Sequence, residues 1–158
     1  MVLKFAAGCV VLMTLLVLTS CGGTSHSEQS PHPNLGSWQV RLTLTGGIRG
    51  LHREIEVDSQ AGALAITEAP QPTVRRELPL SERTDLARLI AALPARDVEV
   101  FNPHCRDCMS FELRVRSASD TYTASYDSST LGGSVHEAII TRLARLGDPA
   151  SLASPRNK

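Results

Sequence analysis

From Trp38 onward the chain alternates. Trp38, Val40, Leu42 and Leu44 fall on one side, and Gln39, Arg41, Thr43 and Thr45 on the other. This is the period-2 pattern of a strand with one buried face. The run LHREIEVD repeats it, setting Leu51, Ile55 and Val57 against His52, Glu54 and Glu56. After the turn-forming stretch DSQAG, the segment GALAITE carries Leu64 and Ile66 into a third strand. EAPQP breaks the pattern, and TVRREL fits a short edge strand whose Arg75 and Arg76 guard against edge pairing.

The period then changes. Leu86, Leu89, Ile90 and Leu93 follow the i, i+3, i+4, i+7 spacing of one helix face. Ser81 is placed to cap this helix, Glu82 and Asp85 to complement its positive end, and Pro94 to stop it. Beyond an irregular segment, MSFELRVRS and DTYTASYD form a hairpin. Met109, Phe111, Leu113, Val115, Tyr122, Ala124 and Tyr126 face inward. A last helix opens at Ser134-Val135-His136-Glu137, a capping-box pattern, and buries Ile139, Ile140, Leu143 and Leu146 before Gly147 and Pro149 end it. Strands, helix, two strands, helix, joined by short connections, predict an α+β domain over residues 37–147. We expect an antiparallel sheet of four to five strands with two helices packed on one face, and a loose tail at 148–158.

The first residues follow neither pattern. Lys4 precedes the apolar run FAAGCVVLMTLLVL, the hydrophobic region of a signal peptide and too short for a membrane span. It ends in Leu18-Thr19-Ser20-Cys21, which looks like the lipobox of a bacterial lipoprotein. The predicted outcome is cleavage of residues 1–20 and lipidation of Cys21. The alternative is an ordinary secretory signal that happens to contain a cysteine. Acyl chains on Cys21 would anchor the mature protein to a membrane. Residues 22–36, GGTSHSEQSPHPNLG, bury too little to fold and read as a flexible linker that reaches about 20 Å on average. Gly22 takes the place of the aspartate that retains many lipoproteins at an inner membrane. The expected location is therefore the cell envelope, facing outward, on the outer membrane where the cell has one.

Charge and motifs narrow the function classes. The chain carries 16 basic and 16 acidic residues, and loss of Lys4 with the signal leaves a charge of −1. No basic cluster points to nucleic acid. No His-Glu-x-x-His, Gly-x-Ser-x-Gly or phosphate-binding loop occurs, so we expect neither an enzyme nor a cofactor. His52, Glu54 and Glu56 share one strand face, which a polar, solvated sheet explains without a metal. In NPHCRDCMS, the pair Cys105 and Cys108 reads as a disulfide in an oxidising compartment. A metal site or a redox pair is the alternative there, weakened by the lack of a second ligand knuckle and of a following helix.

The stretch LTGGIRG raises a separate question. Buried positions of the first strand are even-numbered and those of the second are odd, so Ile48 belongs to neither core-facing set on its own. Either it caps the end of the core, or it stands in solvent at a hairpin tip shaped by Gly46 and Gly47. A strand ending in Thr45-Gly46-Gly47-Ile48, then LHREIEVD, a leucine helix, FELRVRS, another strand and a terminal helix together resemble the emfourin family. Emfourins are small protein inhibitors of thermolysin-family zinc metallopeptidases. The resemblance spans Trp38 to Leu146 and rests on element order and one short motif. The lipoprotein signal and the cysteine loop depart from it. It implies a secreted thermolysin-like metallopeptidase as partner, with Thr45, Gly46, Gly47, Ile48 and Arg49 as the inhibitory contact. A structural or assembly lipoprotein of the envelope is the alternative.

Lipidation is directly testable. Cys21→Ser should leave a protein that is neither cleaved at residue 20 nor acylated, seen by intact mass and by loss of detergent partitioning. A variant that still partitions as a mature lipoprotein would remove the basis for the predicted location.

Overall fold

The computed structural model describes residues 36–48, 50–94 and 96–148. The signal segment, Cys21, all but the last residue of the linker, Arg49 and the tail from residue 149 lie outside them. The chain forms β1 (Gln39–Gly46), β2 (Leu51–Asp58), β3 (Ala63–Glu68) and β4 (Val74–Glu77), then helix α1 (Leu80–Ala91). There follow β5 (Val98–Val100), β6 (Met109–Arg116), β7 (Thr121–Asp127) and helix α2 (Glu137–Leu146). The seven strands make one mixed sheet in the order β4-β3-β2-β1-β6-β7-β5. All neighbours are antiparallel except β5 and β7.

The domain is thus α+β, but its sheet is larger than the expected four to five strands. The segment that looked irregular contains β5, only three residues long and too short to display alternation. Side chains hold it in place. Asp97 accepts a bond from the Thr123 backbone N–H at 2.7 Å before the strand, and the Thr130 hydroxyl donates to the Val100 carbonyl at 2.8 Å at its end.

Alternation sets the register. Leu42 on β1 faces Ile55 on one side and Leu113 on the other. Continuing outward, Ile66 and Val74 extend this row across β3 and β4, and Ala124 and Val98 extend it across β7 and β5. A second row runs through Leu64, Val57, Val40, Val115 and Tyr122. All of these except the exposed Val74 join Leu86 and Ile90 of α1 and Ile139, Ile140 and Leu143 of α2 in one hydrophobic cluster. The opposite sheet face is polar, with Arg41 bonded to Glu54 at 3.1 Å and Glu56 at 3.0 Å.

Both expected helix caps are corrected. Helix α1 starts at Leu80 with Pro79 as its N-cap and no side-chain cap, so Ser81 lies within the first turn. Proline suits the helix entrance because its fixed φ is already compatible and its missing N–H leaves no donor to satisfy. At α2 the N-cap is His136, again without a side-chain cap, and the Ser134 hydroxyl is buried with no hydrogen-bond partner. Glu137 reaches back to the Gly133 N–H at 2.8 Å instead. The helices are joined by Arg142, whose guanidinium donates to Glu82 at 2.6 Å and to Asp85 at 3.3 Å.

Gly147 does cap the end of α2, and sterics require a glycine there. Its φ is −81, an ordinary right-handed value, so no left-handed cap is involved. A Cβ there would instead run into Ile55, lying 2.7 Å from Cγ1 and closer still to Cδ1. Gly147→Ala therefore isolates crowding from backbone strain. It should cost about 1–3 kcal/mol, read as a lower denaturant midpoint at unchanged slope.

Candidate functional site

The candidate site occupies the sheet end where β1 turns into β2. Gly46 and Gly47 take φ values of +100 and +70, which other residues rarely adopt. The turn closes by a bond from the Gly50 N–H to the Gly47 carbonyl at 3.0 Å. Ile48 stands on this turn 93% exposed. Of the two positions its parity allowed, it takes the one in solvent, so it caps no core. Gly46 is needed for space as well as for conformation. A Cβ on it would lie 2.7 Å from the Cys108 carbonyl oxygen, because β1 pairs here with the start of β6. Gly47 lies over Met109, whose Cγ would sit 3.6 Å from an added Cβ.

The structure thus brings together two features distant in the chain: the glycine tip, through Gly46, and the cysteine loop, through Cys108. Cys105 and Cys108 stand at disulfide geometry, with Cα atoms 5.6 Å apart. His104, exposed on this loop, uses its backbone N–H to bond the Asn102 side-chain oxygen at 3.0 Å. Among the described residues no group of three His, Cys, Asp or Glu side chains converges as a metal site. Thr45 sits in the last β1 pairs, opposite His52 and Ser110. Arg49 lies outside the described residues, as does Cys21.

No protein-family model and no curated protein matches this chain. What the site can do has to follow from its own geometry. It offers an exposed branched side chain on a turn whose preceding backbone, Gly46-Gly47, carries no side chains.

Two buried polar clusters carry no signal in the alternation of the sequence, and the first lies near this end. Asp127, only 3% exposed, accepts from the Asn102 N–H at 2.5 Å through one carboxylate oxygen. Its other oxygen accepts from the Ser129 hydroxyl at 2.6 Å and from the N–H groups of Ser129 and Thr130 at 2.8 and 3.0 Å. One carboxylate therefore fixes both the entry to the cysteine loop and the turn after β7. The Ser129 hydroxyl and then the Asn102 N–H hold its pKa down to about 2, against the opposing effect of burial. Asp-Ser-Ser-Thr at 127–130 is a turn signature that could have revealed it.

The second cluster surrounds His136, 1% exposed. Its Nδ1 bonds the Tyr126 hydroxyl at 2.8 Å, and its Nε2 bonds the Tyr122 hydroxyl. A neutral imidazole suits this arrangement, with one nitrogen donating and the other accepting. Burial lowers the His136 pKa, and it raises that of Tyr122 to about 12, with Tyr126 and Asp97 adding to the latter. The two tyrosines expected as core residues have a polar partner that no sequence pattern announced.

Asp127 yields a prediction with a definite sign. Its carboxyl pKa is depressed in the folded state, so its stabilisation is complete above the unfolded value near 4 and is lost as pH falls through about 2. Asp127→Asn should be less stable than wild type at pH 6. The gap between their urea midpoints should narrow as the pH is lowered to 2.

Proposed function

We propose that this chain is a lipid-anchored envelope protein that inhibits a thermolysin-family zinc metallopeptidase through its Gly46-Gly47-Ile48 tip. The observation that carries the proposal is the 93% exposure of Ile48 on a turn fixed by three positive-φ glycines, Gly46, Gly47 and Gly50, and a backbone bond. Such peptidases favour a bulky apolar residue just after the bond they cleave. Ile48 supplies that residue, and the side-chain-free Gly46 and Gly47 leave the preceding backbone free to lie against a cleft wall. Two strands hold the tip, so little conformational entropy is lost on binding. The anchor at Cys21 and the linker would place this inhibitor at the cell surface, where a secreted peptidase would meet it.

Burial of Ile48 in the partner's pocket would contribute about 1.5–3 kcal/mol. Ile48→Asp should therefore weaken inhibition of thermolysin at least tenfold, a decade being about 1.4 kcal/mol. Its melting temperature should stay within the range of a neutral surface substitution. Gly47→Val should lose inhibition too, but with a lower melting temperature, because valine strains a backbone at φ +70. A wild-type lipoprotein that leaves thermolysin fully active at micromolar concentration would refute the proposal and favour a structural role in the envelope.

A further inference from the structure

We infer that the Cys105–Cys108 disulfide positions the inhibitory tip, so that its reduction loosens the tip and weakens partner binding without unfolding the domain. The inference rests on the function proposed above for its binding consequence, but its structural half stands by itself.

The contact is direct. The Cys108 carbonyl occupies the space where a Gly46 side chain would begin, 2.7 Å from a Cβ position, and the next residue, Met109, is the β-ladder partner of Gly46. Met109 also underlies Gly47. A shift of Cys108 therefore reaches Gly46 directly and Gly47 through Met109.

The loop is fixed unevenly. At its front, Asn102 is held by Asp127 at 2.5 Å and itself accepts from the Cys105 N–H at 3.1 Å. At its far end the Met109 carbonyl accepts from the Ser128 N–H at 2.8 Å. Between these anchors the disulfide ties Cys108 back to Cys105, and through Cys105 to the ordered front. With the bond open, Arg106, Asp107 and Cys108 would lose this tie to the front. The effect should remain local because neither cysteine belongs to the hydrophobic cluster beneath the sheet. A ring closed by residues three apart also removes little entropy from the unfolded chain.

Reduction is a two-electron step. A dithiol would attack one sulfur, the S–S bond would break through a mixed disulfide, and two protein thiols would form as the dithiol closes to its own disulfide. Partner binding would thus respond to the thiol–disulfide balance of the envelope.

The test compares the mature lipoprotein in detergent with Cys105→Ser/Cys108→Ser and with wild type reduced by a dithiol that is then removed under anaerobic conditions. Hydrogen exchange at the Gly50 amide, melting temperature and thermolysin inhibition are measured for each. Both altered forms should exchange Gly50 at least tenfold faster, melt within a few degrees of wild type and inhibit at least tenfold more weakly. Unchanged exchange and inhibition would overturn the inference, and so would global unfolding of both forms. If wild type does not inhibit at all, the proposed function fails, and Gly50 exchange alone still decides whether the disulfide positions the tip.

Discussion

Everything in this domain depends on the cross-strand row centred on Leu42. Its side chain is fully buried, with Ile55 and Leu113 directly opposite on the two neighbouring strands. A slip of one residue in β1 would turn Trp38, Val40, Leu42 and Leu44 to solvent together, so the register is fixed by the whole buried face. That register determines which atoms meet at the sheet end. It sets Gly46 opposite Leu51 and Met109, and so brings the turn against the cysteine loop. The tip is precise because the core four residues away is precise.

Polar groups finish what apolar burial begins. Arg53 lies on the core-facing side of β2, yet it is tolerated because Glu68 on β3 takes its guanidinium at 2.7 Å. Removing either partner would leave a half-buried charge uncompensated, a larger loss than the pair's net contribution. On the opposite face the Arg41 pairs are exposed and add little. Asp127 and His136 are the buried cases. Asp127 ties Asn102 to the turn at Ser129 and Thr130, and His136 ties the entrance of α2 to two tyrosines of β7. Arg76 does the same at the far edge, donating to the Leu146 carbonyl at 2.5 Å and so closing the end of α2.

Much of this was legible in the sequence. The long alternating runs placed β1, β2, β3, β6 and β7, and the helical spacing placed Leu86, Ile90, Ile139, Ile140 and Leu143 in the core, because burial on one face leaves a period that can be counted. What escaped had no period. Strand β5 is three residues long and held by the Asp97–Thr123 and Thr130–Val100 bonds, whose partners are distant in sequence. The caps were misjudged because Ser81 and Ser134 fit a local rule while the surrounding chain set the helix entrances at Pro79 and His136. At the candidate site, parity reduced Ile48 to two positions but could not choose between them. The meeting of Gly46 with Cys108 is a product of strand order, which local pattern does not encode.

Exposure alone would not single out Ile48. Leu80 and Val135 are also open to solvent, at 69% and 68%, and scattered surface apolar residues are ordinary. Those two sit at helix entrances, where chain direction rather than a shaped turn accounts for them. Ile48 differs in what flanks it. Gly46 takes a conformation and a space that exclude every larger residue, and Gly47 a conformation that most avoid. A hairpin that only had to reverse direction could do so with a shorter, polar loop. Here β1 and β2 pair up to Gly46 and Leu51, and the residues beyond them lift an apolar side chain clear of the sheet. Because Ile48 is exposed and lies outside the hydrophobic cluster, its identity can change while the fold stays as it is.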